Sequence, residues 1–182
     1  WLAEQSARFA PLIGRDLRTT PVAPIDLSAG SPLVSSEPSE NSPAELDRRI
    51  QRRLAEHGAT VGAGGYDEAR LIYAWPNEAT GTEPRTIHIG LDLSLAPGSP
   101  LHAPLDGVVH GFENAAAHHD YGPVIVLRHR TEGPDSVEFY SLYGHLSCDS
   151  LEGLWVGQPI AKGVVFARVG SAPSNGNWWP HV

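Results

Sequence analysis

The spacing of hydrophobic residues along the 182-residue chain changes from a helical to a strand-like pattern near residue 70. Before that point, three apolar residues recur at every fourth position: Leu46, Ile50 and Leu54. This spacing places them on one face of an α-helix. Ser42 and Glu45 form a capping box before the stripe, with Pro43 at the first helical position. Gly58 is a natural helix end, so the pattern predicts one amphipathic helix.

After residue 70, short apolar or alternating segments are separated by turn residues such as Ala96-Pro97-Gly98 and Leu105-Asp106-Gly107. The segments predicted as strands are 70–75, 86–93, 101–103, 107–112, 123–129, 137–143, 160–161, 164–169 and a last one from Pro180. Short strands at this spacing are typical of an antiparallel sheet or sandwich. The fold class is therefore predicted to be mainly β.

The same patterns divide the chain into three parts. Residues 1–42 are predicted to be a linker, because residues 19–41 are rich in proline, serine and small residues and have no sustained period. Residues 43–69 hold the helix and a glycine-rich connection, and residues 70–182 form the β domain. The connection at Val61–Gly65 lacks the Lys-Ser/Thr of a phosphate-binding loop, so it is assigned no ligand.

The formal net charge of −8 predicts neither a nucleic acid nor an anionic membrane among the partners. No apolar run is long enough to span a membrane. No signal segment is visible, which favours the cytoplasm, with export to the cell envelope as the alternative. Four arginines lie largely off the apolar stripe of the helix: Arg48, Arg49, Arg52 and Arg53. They form either its solvated face or a binding patch.

Three histidine-containing groups are the candidates for chemistry. The first is His88 with Asp92, whose side chains would be ~13 Å apart in a straight strand. Gly90 lies midway and can supply the bend that brings them together. The second is His145, just beyond a predicted strand end. The third is His181, which would begin an H-x-H pair on one strand face.

In this order the three groups resemble the zinc metallopeptidase family of lysostaphin and LytM, with its pattern H-x-x-x-D, then Y-x-H-L, then H-x-H. Three further stretches resemble the family: Ala96–Val109, Gly122–His129 and Gly157–Gly163 with Val169-Gly170. The resemblance covers about residues 70–182. It implies that His88 and Asp92 are zinc ligands and that His145 and His181 are the catalytic pair.

The resemblance also implies hydrolysis of a peptide bond, with cell-wall or glycine-containing peptides as substrates. The third protein ligand of zinc would be the second histidine of H-x-H, which is absent because the chain ends at Val182. Since coordination supplies the binding energy, this chain is expected to be metal-free or weakly occupied.

An alternative is a catalytically degenerate domain that serves as a structural or binding module. The chain also resembles the middle domain of bacterial fusion proteins, between a phosphotransferase-like kinase domain and a class III pyridoxal-phosphate aminotransferase domain. Flanking domains of a longer chain are then expected. A plain peptide- or carbohydrate-binding β-sandwich would require the histidine pattern to be a coincidence.

Overall fold

A computed structural model describes residues 1–73, 86–117 and 120–182 of the chain. Contacts divide the chain into two compact units, one of residues 21–95 and one of residues 1–20 with 96–182. The fold is mainly β and most strand pairs are antiparallel, which confirms the predicted fold class. None of the helices in these residues has the length and apolar character needed to cross a membrane.

The helices are α1 (Leu2–Gln5) and α2 (Pro43–Glu56), and short 3₁₀ segments lie at Ser6–Arg8, Pro38–Glu40, Leu71–Tyr73 and Cys148–Leu151. The strands in chain order are β1 (Val22–Ile25), β2 (Val61–Gly64), β3 (Glu68–Ala69), β4 (Ile87–His88), β5 (Leu93–Ser94), β6 (Pro100–His102), β7 (Gly107–Ala115), β8 (Gly122–Arg130), β9 (Glu138–Tyr143), β10 (Pro159–Ile160) and β11 (Val165–Arg168).

The unit of residues 21–95 packs α2 against a three-stranded sheet in the order β1-β2-β5. The predicted stripe of α2 is buried, and the Ser42 Oγ accepts a hydrogen bond from the Glu45 N–H at 3.3 Å. The helix prediction is therefore confirmed. A second pair, β3 and β4, places Glu68 opposite His88. This pairing brings the first candidate histidine next to the chain that follows the glycine-rich connection.

The unit of residues 1–20 and 96–182 is built on a four-stranded antiparallel sheet in the order β10-β7-β8-β9, with β6 paired to β11. Six of its core residues are almost fully buried: Leu101, Val109, Ile125, Leu127, Leu146 and Val169. Strands β6 to β11 match predicted strands, with ends that differ by no more than three residues. Residues 1–20 join this unit, since the Ala10 N–H donates to the Pro104 carbonyl at 2.9 Å.

Several local predictions differ from the structure. The predicted linker contains β1, which pairs in parallel with β2 and buries Ala23 and Ile25. Two buried positions are too few for a period to stand out in the sequence. The predicted strand 70–75 begins with a 3₁₀ turn, and residues 74–75 lie outside the described residues. At the end of the chain His181 forms only an isolated bridge. The domain boundaries after residues 42 and 69 stay a prediction.

Candidate functional site

His88 and Asp92 meet within the unit of residues 21–95. His88 ends β4, the chain bends at Gly90, and Asp92 immediately precedes β5, so the predicted strand 86–93 is split in two. The His88 Nε2 lies 3.2 Å from the Asp92 Oδ1. A Cβ atom at Gly90 would lie 3.1 Å from the same Nε2. The absence of a side chain at Gly90 therefore leaves room for the imidazole to turn toward the carboxylate.

The spacing of these two donor atoms suits a shared zinc ion. Two ligands of one tetrahedral zinc lie about 3.3–3.6 Å apart when each bond is ~2.0–2.2 Å long. The His88 Nδ1 lies 3.3 Å from the Gly65 carbonyl oxygen, which favours a proton on Nδ1 and a lone pair on Nε2. His88 and Asp92 thus fit two of the ligand positions, and their binding of zinc stays a prediction.

Among residues 1–73, 86–117 and 120–182, no group of three or more His, Cys, Asp or Glu side chains is arranged to hold a metal ion. The described residues therefore supply a pair of candidate ligands and not a complete protein site. His118 and His119, which were not assigned to a site from the sequence, lie outside the described residues.

A buried arginine holds the Asp92 carboxylate from the other side. The Arg70 Nη1 lies 2.7 Å from the Asp92 Oδ2, and the Arg70 Nε lies 2.6 Å from the Glu68 Oε2. The Arg70 side chain is 0% exposed. The Glu68 Oε1 accepts a hydrogen bond from the Leu27 N–H at 3.1 Å. The guanidinium therefore bridges two carboxylates and leaves the Asp92 Oδ1 to face His88.

The glycine-rich connection forms a wall of this cluster. A Cβ atom at Gly64 would lie 3.2 Å from the Asp92 Cβ and 3.3 Å from the Arg70 Nη2. The Gly64 N–H also donates to the Asp92 carbonyl at 2.8 Å. Gly64 is therefore explained by close packing around the ion pairs. Glu68, Arg70 and this wall were not predicted from the sequence, where their one signal is two charged residues next to a run of glycines.

His145 and His181 meet within the other unit, with ring centroids 4.3 Å apart. His145 lies two residues beyond β9 and has a φ of +57°, in the left-handed region that is uncommon for residues with a side chain. Its N–H donates to the Tyr121 carbonyl at 2.7 Å, and its carbonyl accepts from the Gly170 N–H at 2.9 Å. Hydrogen bonds from its N–H and to its carbonyl therefore hold the His145 backbone in this conformation.

The two imidazoles share one hydrogen-bonding arrangement. The His145 Nδ1 lies 2.9 Å from the Asn175 carbonyl oxygen, and the His181 Nδ1 lies 2.7 Å from the Trp179 carbonyl oxygen. A carbonyl accepts only from a protonated nitrogen, so Nδ1 carries the proton in each ring. His181 is 3% exposed and stacks on Trp179. Trp178 and Trp179 are themselves buried, so they pack in the interior of the unit.

Two other histidines in this unit have structural partners. The buried His129 ring lies between the Asp106 carbonyl, 2.8 Å from Nδ1, and the Ser141 Oγ, 2.7 Å from Nε2. The His102 Nδ1 lies 2.9 Å from the Gly163 carbonyl oxygen. These contacts tie neighbouring segments together, and neither ring was a predicted site residue.

The family model of peptidase family M23 matches residues 86–182, which is more than half of the chain. The chain belongs to peptidase family M23. All four predicted site residues of this M23 domain lie in the matched segment, whereas Glu68 and Arg70 precede it. The family supports a metallopeptidase-type domain, as the resemblance to lysostaphin and LytM implied.

A search of curated proteins found no match for this M23 chain. Among solved structures, it is similar to one titled "Structure of Helicobacter pylori Csd3 from the orthorhombic crystal", with 24% sequence identity and a TM-score of 0.35. The similarity covers 64% of this chain and 28% of that chain. The match therefore spans less than a third of the Csd3 chain.

Proposed function

We propose that this M23 domain is a zinc-dependent endopeptidase in which His88 and Asp92 bind the metal. The observation that carries the proposal is the 3.2 Å separation of the His88 Nε2 and the Asp92 Oδ1. It is only slightly shorter than the ~3.3–3.6 Å expected between two ligands of one zinc ion. Two contacts support this assignment. Arg70 binds the Asp92 Oδ2 and the Gly65 carbonyl lies against the His88 Nδ1, so the Asp92 Oδ1 and the His88 Nε2 face each other.

A bound zinc ion lowers the pKa of a coordinated water toward neutrality and polarises the scissile carbonyl. We assign proton transfer to His145 and His181. Because Nδ1 of each ring donates to a backbone carbonyl, Nε2 is the atom that accepts a proton from the attacking water. Once protonated, the same atom can donate a hydrogen bond to the oxygen that becomes negatively charged, and it then passes its proton to the leaving amine nitrogen. Two imidazoles in the same tautomer can fill these two roles.

The substrate class follows from the family resemblance. We propose peptides of the bacterial cell wall, or other peptides that contain glycine, as the substrates. The proposed compartment depends on the substrate. If the substrate is a cell-wall peptide, the protein is exported to the cell envelope. If the protein is cytoplasmic, its substrate is another peptide that contains glycine. The net charge of −8 favours substrates that are neutral or positively charged.

The second candidate is a catalytically degenerate module that binds or spaces other domains. It is favoured by one observation, that the described residues contain no group of three metal-ligand side chains. On this proposal the fold is retained while chemistry is supplied by other parts of a longer protein, such as the kinase and aminotransferase domains of a fusion.

Peptide cleavage separates the two candidates. The chain would be lengthened after Val182 by a histidine, loaded with zinc, and incubated with oligoglycine and wall-derived peptides, with products identified by mass spectrometry. The peptidase proposal predicts cleavage that is lost in His145→Ala while bound zinc is kept. His102→Ala is the matched control and should cleave normally. A zinc-loaded chain that cleaves none of these peptides would support the degenerate module.

A further inference from the structure

Asn175 is fully buried and binds the backbone of the segment that leads to His181. Its Nδ2 donates to the Trp178 carbonyl at 3.1 Å and to the Trp179 carbonyl at 3.4 Å, and its Oδ1 accepts from the Trp178 N–H at 3.1 Å. An amide side chain that uses both its donor and its acceptor groups on two successive residues holds their peptide planes in one orientation. Asn175 thus acts as a clamp on Trp178 and Trp179.

The same residue reaches both histidines through carbonyl groups. The carbonyl that accepts from the His145 Nδ1 is that of Asn175 itself. The carbonyl that accepts from the His181 Nδ1 is that of Trp179, which the Asn175 side chain contacts. One buried residue is therefore linked to the Nδ1 partner of each ring.

We propose that Asn175 is a positioning residue that fixes His145 and His181 in the tautomer with the proton on Nδ1. This directs Nε2 of each ring to proton transfer and fixes the orientation of both rings. The proposal rests on the proposed function for calling the two histidines catalytic, whereas the tautomers themselves do not depend on it. A carbonyl that fixes the tautomer of a functional histidine is a recurrent arrangement in proteins.

Close packing keeps Asn175 in place. A Cβ atom at Gly122 would lie 2.5 Å from the Asn175 carbonyl carbon. The loop that contains Asn175 can therefore pack against the start of β8 only because residue 122 has no side chain. The Asn175 N–H donates to the Ser171 carbonyl at 3.2 Å, and the Asn177 N–H donates to the Pro173 carbonyl at 3.0 Å. Removal of the Asn175 side chain would leave buried backbone groups of Trp178 and Trp179 without these bonds.

The test is the tautomer of each histidine, read from long-range proton–nitrogen NMR spectra of the metal-free chain. Spectra would be taken above pH ~8, where an unperturbed imidazole is neutral. The wild-type chain should show both rings protonated at Nδ1. In Asn175→Ala, the His181 ring should shift toward the mixed tautomers of free histidine, and the His145 ring should shift less, because alanine keeps the backbone carbonyl that His145 contacts. Ser174→Ala is the matched control, because the exposed Ser174 Oγ donates to the Ser171 carbonyl and not to either tryptophan or histidine among the described residues, and it should leave both rings unchanged.

Asn175→Asp provides a second variant of the same shape, in which an oxygen replaces Nδ2 and faces two carbonyl oxygens. Amide signals of β8 report whether each variant is folded. Folded Asn175 variants with unchanged tautomers, or wild-type rings protonated at Nε2, would overturn the proposal. If both variants unfold, hydrogen exchange of the wild-type Asn175 side-chain amide decides: protection supports the clamp, and free exchange contradicts it.

A kinetic measurement separates this proposal from the proposed function. In a chain that cleaves peptides, a folded Asn175 variant should lose kcat with little change in KM, because it disturbs proton transfer more than peptide binding. The wild-type chain could cleave no peptide and still show both Nδ1–H tautomers, with loss of these tautomers in the variants. This result would contradict the peptidase proposal and would support the positioning role of Asn175.

Discussion

Replacement of Arg70 by methionine tests the buried ion-pair cluster behind Asp92. Arg70 is 0% exposed and bridges Glu68 and Asp92, whose side chains are 9% and 8% exposed. Methionine fills much of the space of the arginine stem but leaves two carboxylates without their shared cation. Removal of one partner from a buried ion pair ordinarily costs about 3–5 kcal/mol. That loss is large against a total unfolding free energy of about 5–15 kcal/mol for a domain.

The loss should appear in the unit of residues 21–95, which contains all three residues. Urea-dependent hydrogen exchange of amides in β2 and β5 measures the stability of this unit, and amides in β8 report on the other. Arg52→Met is the matched control, because Arg52 is an exposed arginine on α2 and a surface change costs within about 0.5 kcal/mol. A loss below ~1 kcal/mol for Arg70→Met would refute the assignment of the cluster as a buried ion pair.

A second comparison separates charge from shape. The triple replacement Glu68→Gln, Arg70→Met and Asp92→Asn removes every charge of the cluster and should be more stable than Arg70→Met alone. Burial of an unpaired charge costs more than burial of a neutral amide of the same shape. The non-additivity of the three changes measures the coupling within the cluster. Equal stability of the single and triple variants would show that packing, and not charge, sets the loss.

Three further predictions concern the cap of α2, the bend at Gly90 and a buried phenol. Ser42→Ala should lower the unfolding free energy by about 1 kcal/mol in denaturant titrations, with the exposed Ser39→Ala near neutral. Gly90→Ala should displace the His88 ring and weaken zinc about 10-fold or more in chelator competition, and unchanged affinity would contradict the close approach. Burial raises the pKa of Tyr143, so its phenolate absorbance should appear above pH ~10. The free energy of unfolding should fall as pH rises beyond that value, because the phenol ionises at a lower pH in the unfolded chain than in the folded one.

Local patterns predicted the elements well where a single segment carries the signal. The stripe and capping box of α2 and the alternating segments of β6 to β11 fall into this class, because each depends on the spacing of neighbouring residues. The pairing of His88 with Asp92 across Gly90 is also local, since it requires only a bend within five residues. These features are encoded over distances shorter than a strand or helix.

Features that depend on contacts between distant segments were not predicted. Arg70 and Asp92 meet because β3 pairs with β4 and because Gly64 and Gly65 allow close approach, and none of these contacts has a sequence period. Asn175 is indistinguishable from an ordinary turn residue until the loop is packed against Gly122. β1 depends on its pairing with β2, so its sequence alone resembles a linker.

Zinc binding tests the central claim, that His88 and Asp92 hold a metal ion. Bound zinc would be measured by competition with a chelator for the 182-residue chain, for the chain lengthened after Val182 by a histidine, and for a control lengthened by an alanine. We predict weak binding by the first and last, and tight binding of one zinc by the second that is lost in His88→Ala and in Asp92→Ala. Tight stoichiometric zinc in the 182-residue chain, or in the lengthened chain after either replacement, would contradict the account.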